Sequence, residues 1–272
     1  MKNIDKLVRA RRSVRTFEEK PVSQQDLDRL CAFMAEISNP YGLPVKFKLL
    51  DAKAQKLSCP VVVGADLYVG AKMKTAPYFN EAFGYSFELL VLYAQSLGIG
   101  TVWVGGTMDR ASFERAMELT EDEVMPCMSP LGYPAKKMSL RETMMRKGVK
   151  ADERMAFEDV FFEGSFDAPL TQAHAGKLSH ALEMVRLAPS AVNKQPWRVV
   201  LTDKAAHFYL KRSKGFNIGN IDMQKIDVGI AMCHFDLAVK EAGLEPRFVQ
   251  ADPCVAVKDG EEYIASYDYG IL

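Results

Sequence analysis

The strongest constraint on the fold is an internal repeat: the second half of the 272-residue sequence follows the early part of the first half in the same order. Residues 190–201 align with residues 38–49, and the helical pattern at 227–243 aligns with the pattern at 83–98. The matched residues are Pro44 with Pro196, Gly84 with Gly229, and Gly98 with Gly243. Chance can supply three such matches, but their common order favours a duplicated structural unit. We therefore predict two related modules.

The two predicted modules differ in length. Module 1 covers residues 1–145, and a truncated module 2 covers residues 167–272. Between them, residues 146–166 continue a charged stretch that begins near Lys136. Such a change in composition is typical of a linker or arm, and we place the boundary between the modules there.

Helical and extended patterns alternate along both modules. Apolar spacing predicts a short helix from Ile4 that stops near Arg11, and a second helix capped by Ser23. Further helices are predicted at 83–97, 110–119, 178–187 and 227–243, and strands at 46–50, 60–64, 101–104, 124–131 and up to 201. This order fits an α+β fold, in which a mixed, largely antiparallel sheet is flanked by helices.

Composition and spacing argue against several classes of function. Thirty-five basic and thirty-five acidic residues cancel, so no overall field favours nucleic acid or a membrane surface. The four histidines have no zinc-site spacing, no catalytic triad is visible, and no dinucleotide fingerprint follows a strand. The five cysteines fit reduced thiols better than a disulfide framework. Without an apolar signal core or a run of ~20 apolar residues, a cytoplasmic protein is expected.

A cluster of cationic side chains follows the first predicted helix. Arg11, Arg12 and Arg15 surround Ser13, and together they offer guanidinium groups and a hydroxyl. Such groups bind planar anions, for example a phosphate or a polarised ring carbonyl. Taken alone, the same cluster is also typical of a solvated basic helix end.

A second polar segment, residues 188–199, lies in module 2 just before a predicted strand. Its side chains at Ser190 and Asn193 can form hydrogen bonds with a ligand. The role of Gln195 is left open by the pattern. Trp197 opens the strand and is expected to pack in the core.

Together, these segments resemble the flavin-binding signature of the nitroreductase family, in the single-chain, pseudo-dimeric form found among thermophile enzymes. Residues 11–15 match its R-R-S-x-R motif, and residues 189–197 match P-S-x-x-N-x-Q-P-W. Residues 98–106 look like the family's strand ending in a glycine pair, and residues 131–135 are similar to its closing motif. The resemblance implies an FMN site, without a catalytic side chain or a metal, formed by Arg11, Arg12, Ser13, Arg15, Lys53, Gly105, Gly106, Lys137, Arg141, Pro189, Ser190, Asn193 and Gln195.

The two main parts of this signature lie in different modules. The R-R-S-x-R motif belongs to module 1, whereas the intact P-S-x-x-N loop belongs to module 2. Ordinary family members take these parts from two subunits. The resemblance therefore implies that one chain imitates the dimer and holds one FMN in a composite site. We expect a monomeric pseudo-dimer, and a further homodimer stays open.

The family resemblance implies an enzyme, an FMN-dependent NAD(P)H nitroreductase-like oxidoreductase. Hydride would pass from NADH or NADPH through flavin N5 to a planar, electron-poor acceptor such as a nitroaromatic or a quinone. Because a fused and partly eroded module can lose its substrate channel, a non-catalytic flavin-binding sensor or scaffold is the alternative.

Overall fold

The computed structural model describes residues 1–258 and 260–270 of the chain, which divides into two compact units. The first unit comprises residues 10–151, and the second comprises residues 1–9 together with the chain from Asp152 onward. The division falls inside the predicted arm at 146–166. The first nine residues, which were expected in module 1, group with the second unit: the backbone N–H groups of Asn3 and Ile4 donate to the Glu241 carboxylate at 2.5 and 3.0 Å.

Helices and strands alternate through both units. The helices are α1 (Ile4–Ala10), α2 (Gln24–Glu36), α3 (Phe79–Ser96), α4 (Arg110–Ala116), α5 (Leu140–Gly148), α6 (Phe157–Val160), α7 (Ser179–Arg186) and α8 (Met223–Glu241). The strands are β1 (Lys46–Asp51), β2 (Leu67–Lys74), β3 (Glu123–Val124), β4 (Met128–Leu131), β5 (Phe161–Glu163), β6 (Trp197–Leu201), β7 (Ala205–Leu210), β8 (Asn217–Ile218), β9 (Ile221–Asp222), β10 (Arg247–Val249) and β11 (Glu262–Asp268).

The sheet of the first unit is antiparallel and is organised by β2. This strand pairs with β1 along one edge, with Leu49 opposite Val69. It pairs with β4 and with the short β3 along the other edge. Tyr68 on β2 packs edge-on against Phe113, with ring centroids 5.2 Å apart, in a buried cluster beneath the sheet.

The sheet of the second unit has five strands in the order β10, β11, β7, β6 and β5. Strand β5 runs parallel to β6, and the remaining neighbours are antiparallel. Strands β8 and β9 form a separate two-stranded antiparallel sheet. The α+β fold with a mixed, largely antiparallel sheet and flanking helices is therefore confirmed.

The order helix, strand, strand, long helix occurs once in each unit, as the internal repeat predicts. In the first unit the order is α2, β1, β2 and α3. In the second it is α7, β6, β7 and α8, with the short strands β8 and β9 inserted before α8. Gly98 and Gly243 follow the two long helices with φ values of +74° and +82°. This left-handed conformation is accessible to glycine with little strain and ends a helix, which explains why the sequence match falls there.

Several local predictions were wrong. Residues 60–64 form a turn in place of a strand, and only Val63 makes an isolated bridge, to Thr16. Residues 101–104 contribute bridges without forming a strand, and the predicted strand at 124–131 is divided into β3 and β4 around Pro126, which has no N–H to donate. The sequence reading missed β2.

The cores of the two units contain aromatic residues. In the second unit Trp197, Phe208 and Phe235 are fully buried, so the core position expected for Trp197 is confirmed. All five cysteines are free thiols. Among the described residues, no helix is both long enough and apolar enough to cross a membrane.

Candidate functional site

The segment that carries the arginine cluster is an extended strip bound to two other loops of the first unit. The Val14 N–H donates to the Thr101 carbonyl at 2.9 Å, and the Val63 N–H donates to the Arg15 carbonyl at 2.8 Å. Val14 is buried, whereas Ser13 and Arg15 on either side of it are half-buried. The fold of the first unit thus holds this strip in a defined orientation.

The guanidinium group of Arg11 is buried and incompletely satisfied. Its side chain is 7% exposed, and its Nε lies 4.0 Å from an oxygen of the buried Glu88. Among the described residues, this Nε has no hydrogen-bond partner. Burial lowers the pKa of Arg11, the Glu88 charge opposes that effect, and the positive charge of Arg146 adds to it.

Arg15 shows the same pattern. Its Nε is buried without a hydrogen-bond partner in the part of the chain that the structure describes. Burial lowers its pKa, the Glu142 carboxylate raises it, and Arg146 lowers it further. Two guanidinium groups with unused N–H donors therefore lie in the field of a third cation.

Arg12 is bound differently, because it pairs with a buried carboxylate from α5. The Arg12 Nη1 donates to Glu142 Oε1 at 2.7 Å, and the Arg15 backbone N–H donates to Glu142 Oε2 at 3.1 Å. Ser139 caps α5 by accepting from the Glu142 N–H at 3.1 Å. Helix α5 is thus attached to the arginine strip through Glu142.

The cations predicted from the closing motif lie nearer the surface. Lys137 is exposed, and Arg141 is exposed with its guanidinium donating to the Pro60 carbonyl. Arg146, which the sequence reading did not select, is the α5 cation whose charge acts on both Arg11 and Arg15. The predicted Arg141 lies about one and a half helical turns before Arg146 on the same helix.

The other residues predicted in the first unit are more dispersed. Gly105 accepts from Arg110 Nη2 at 2.7 Å, and a Cβ built on Gly106 would meet nothing within 4 Å. Lys53 pairs with Asp66 at 2.5 Å on the surface, where both residues line a cleft of about 670 Å³. The structure brings Arg11, Arg12, Ser13 and Arg15 together in one strip. Lys53 does not join them in this strip and forms a surface ion pair with Asp66.

The loop at 188–197 in the second unit is held by a buried carboxylate on α8. Both oxygens of Asp227 accept from the Ala191 N–H, at 3.0 and 3.1 Å. The Gln195 N–H donates to Ser190 Oγ at 2.8 Å, which closes the loop. Val192 and Asn193 have φ values of +43° and +60°. Non-glycine residues rarely adopt this region, so the loop conformation depends on these contacts.

Asn193 and Gln195 bind the segment that enters the second unit. Asn193 Nδ2 donates to the Glu153 carbonyl at 2.9 Å, and Arg154 donates to Asn193 Oδ1 at 3.3 Å. Gln195 is 5% exposed and accepts from the Met155 N–H at 2.9 Å. Pro189 precedes the loop, and Val192 is exposed at its tip. The structure thus brings Ser190, Asn193 and Gln195 together in one compact turn.

Comparison with known proteins connects this geometry to a family. The family model described as "Putative TM nitroreductase" matches residues 3–239. The chain belongs to this nitroreductase family. No curated protein matches the sequence.

Three solved structures illustrate the likeness of this nitroreductase-family chain. A "putative nitroreductase" from Thermotoga maritima is 20% identical, with 98% of this chain and 94% of that chain covered and a TM-score of 0.62, which shows a shared fold. An FMN-dependent nitroreductase from Clostridium difficile is 17% identical, with 52% and 94% covered and a TM-score of 0.42. Iodotyrosine deiodinase bound to FMN and 3-iodo-L-tyrosine is 16% identical, with 50% and 92% covered and a TM-score of 0.43.

The sequence patterns of this nitroreductase-family chain did not reveal the acidic residues that hold the candidate site. Ser139 and Glu142 have the spacing of a helix capping box, which could have located the start of α5. That spacing does not reveal that the Glu142 carboxylate turns to Arg12. Asp227 has no local signal, because its partner Ala191 is distant in the sequence.

Proposed function

We propose that this nitroreductase binds FMN and passes hydride from NAD(P)H to a planar, electron-poor acceptor such as a nitroaromatic or a quinone. The observation that carries the proposal is that the Nε–H donors of Arg11 and Arg15 are both buried without a partner among the described residues. A buried donor without a partner is costly, so such a pair favours an anionic ligand.

The phosphate of FMN suits this cluster by charge. It carries about two negative charges near neutral pH, and its oxygens accept hydrogen bonds from guanidinium groups. Arg146 and Arg11 repel one another without a ligand, which contributes to the lowered pKa of Arg11. An anion would relieve both the repulsion and the unsatisfied donor. We assign Arg11 to the phosphate and Arg15 to the pyrimidine edge of the ring.

We propose that polar residues of the 188–197 loop also bind FMN, as the family resemblance implies. Its Ser190 and Asn193 supply polar groups, and the contacts of Asp227 and Gln195 define its conformation. The proposal requires one FMN per chain, because the R-R-S-x-R motif occurs only in the first half and the intact P-S-x-x-N loop only in the second.

When bound, FMN would supply the redox chemistry between a reduced nicotinamide and the acceptor. The protein would orient the cofactor and exclude water from it. The positive charge of Arg15 would stabilise negative charge on the pyrimidine side of the reduced ring. The five free thiols agree with a cytoplasmic location for this reaction.

The test uses the purified full chain, reconstituted with FMN. We expect one bound FMN per chain, bleaching of the flavin absorbance by NADH or NADPH without oxygen, and recovery on adding a nitroaromatic. Protein that binds FMN but stays oxidised would be the non-catalytic binder. Two flavins per chain, or none, would contradict the proposed stoichiometry.

Two variants test the arginine half and the loop half of the proposed residue set separately. Arg11→Ala and Asn193→Ala should each weaken FMN retention. Arg29→Ala on α2 and Lys194→Ala in the loop are matched controls, because both side chains are exposed. If either control weakens FMN binding as much as its partner variant, the assignment of that half is wrong.

A further inference from the structure

Glu142 is a buried carboxylate with two different donors in the arginine strip. One oxygen accepts from the Arg12 guanidinium at 2.7 Å, and the other accepts from the Arg15 backbone N–H at 3.1 Å. The Glu142 side chain is fully buried, whereas that of Arg12 is 30% exposed. Both carboxylate oxygens are therefore used within the protein, one by a side chain and one by the backbone.

The three arginines of the motif are consequently not equivalent. Arg12 has a short charge-assisted hydrogen bond, whereas the Nε atoms of Arg11 and Arg15 have no partner among the described residues. Arg11 lies 4.0 Å from Glu88, beyond hydrogen-bond distance. A ligand would therefore find its free donors on Arg11 and Arg15.

We propose that Glu142 is a positioning residue that keeps Arg12 as a brace within the protein and leaves Arg11 and Arg15 for the cofactor. This inference rests on the proposed function. It assigns Arg12, which the family motif implies as a cofactor ligand, to holding α5 against the strip. It also assigns Glu142 to fixing the backbone from which the Arg15 side chain extends.

The alternative role for Glu142 is that of a competitor for the phosphate. A negative charge beside Arg12 weakens the attraction of the cluster for an anion, so its removal would then tighten FMN binding. A positioning role predicts the opposite sign. Without the carboxylate the strip loses its fixed geometry, and both the charged and the uncharged parts of the ligand bind less well.

Riboflavin separates these roles because it lacks the phosphate of FMN. Arg11→Ala should lower FMN affinity by about 10- to 100-fold, as expected for a lost hydrogen bond to a charged group, and change riboflavin affinity far less. Arg12→Ala and Glu142→Gln should each lower both affinities by a similar factor. Their ratio of FMN to riboflavin affinity should therefore stay within about threefold of the unmodified chain.

The effects of substituting Arg12 and Glu142 on FMN affinity should also be coupled. The double variant Arg12→Ala/Glu142→Gln should lose less FMN affinity than the two single changes added together, because each single change already breaks the Arg12–Glu142 pair. Glu36→Gln, at an exposed position of α2, is the matched control and should bind like the unmodified chain.

A second readout requires no flavin. In the flavin-free full chain, amide hydrogen exchange at residues 13–16 should be faster in Glu142→Gln than in the Glu36→Gln control, because the Arg15 N–H loses a carboxylate acceptor. If the unmodified chain binds neither flavin, the proposed function fails, while this exchange experiment still decides whether Glu142 orders the strip.

Three results would overturn the positioning role. These are tighter FMN binding in Glu142→Gln, a loss of FMN selectivity in Arg12→Ala as large as that in Arg11→Ala, and unchanged exchange at residues 13–16. The first two leave FMN binding itself intact, so they reject the inference without rejecting the function.

Discussion

Both carboxylate oxygens of Asp227 accept a hydrogen bond from the backbone N–H of Ala191, at 3.0 and 3.1 Å. Asp227 is 3% exposed, and burial raises the pKa of its carboxyl group well above the usual range. The Ala191 N–H opposes this shift, and the charge of Asp222 adds to it. A single interaction thus connects the core helix α8 to the loop that carries Ser190 and Asn193.

Asp227 should make the stability of the chain fall as the pH rises. Because its folded pKa is raised, the folded state holds the proton more tightly than the unfolded state does. Its contribution to stability is therefore fully present below the unfolded pKa of about 3.9 and decreases towards the folded pKa. Relative to Asp227→Asn, the free energy of unfolding of the unmodified chain should decline across that range. Urea unfolding at a series of pH values measures the free energy of unfolding, and Asp203→Asn, at an exposed position, is the control. If the free energy of unfolding depends on pH in the same way in the unmodified chain and in Asp227→Asn, the prediction is wrong.

Glu123 should show the opposite pH dependence. Its oxygens accept from Lys72 at 2.6 Å and from Lys46 at 3.2 Å. The hydrogen bond from Lys72, opposed by burial and assisted by Lys46, lowers the pKa of Glu123 from 4.5 to about 2. A depressed folded pKa stabilises the protein above the unfolded pKa, and this stabilisation is lost as the pH falls through about 2.

Glu123→Gln should therefore destabilise the chain at neutral pH, and the difference should shrink as the pH falls from 4.5 towards 2. Urea unfolding of the full chain, followed by fluorescence, measures the free energy of unfolding. Glu121→Gln is the control, because Glu121 is exposed two residues away. A difference that stays constant with pH would mean that the two lysines do not act on the Glu123 charge.

Gln195 should stabilise the second unit through its buried amide. It accepts from the Met155 N–H at 2.9 Å and donates to the Asn193 carbonyl at 3.2 Å. Gln195→Ala leaves both groups without this partner, and we expect a loss of about 1–3 kcal/mol in the free energy of unfolding. Urea unfolding tests the value, and Lys194→Ala, an exposed neighbour, should change it little. Equal effects of the two variants would show that the Gln195 amide adds no stability.

Gly100 and Gly106 should respond differently to the same substitution. A Cβ at Gly100 would lie 3.0 Å from Pro134 Cγ and from Val14 Cβ, so Gly100→Ala should lose about 1–3 kcal/mol of stability by overpacking. A Cβ at Gly106 would meet nothing within 4 Å, and we expect a change within about 0.5 kcal/mol. Gly106→Ala should nevertheless weaken FMN binding if its backbone approaches the ligand. Thermal unfolding and FMN titration of both variants separate packing from binding.

The sequence predicted well those features that depend on neighbouring residues. Ser23 caps α2 with its side chain, as its position before an amphipathic pattern indicates. Gly98 and Gly243 end the long helices because few other residues adopt a positive φ without strain. Residues 60–64 were misread, since their apolar composition is that of a strand while their backbone forms a turn.

In the candidate site, too, the residue types were predicted from the local sequence, whereas their interactions were not. The cluster of residues 11–15 was recognised because guanidinium groups and a hydroxyl at this spacing suit a phosphate, whatever the fold. Its internal roles were not recognised, because the partner Glu142 lies more than a hundred residues away in the chain. Arg146 was likewise passed over for Arg141, which differs from it in position along α5 and not in chemistry.

Local sequence patterns predict the duplicated order of helices and strands, the family resemblance, and the residue types available for binding an anion. These follow from periodicity, helix caps and short motifs, which act over a few residues. Contacts between distant segments, in contrast, pair Arg12 with Glu142 and leave the Nε donors of Arg11 and Arg15 without a partner among the described residues. Such contacts also anchor the 188–197 loop to Asp227. Burial and pairing between distant segments set the energy of each charge, and local sequence does not encode which segments meet.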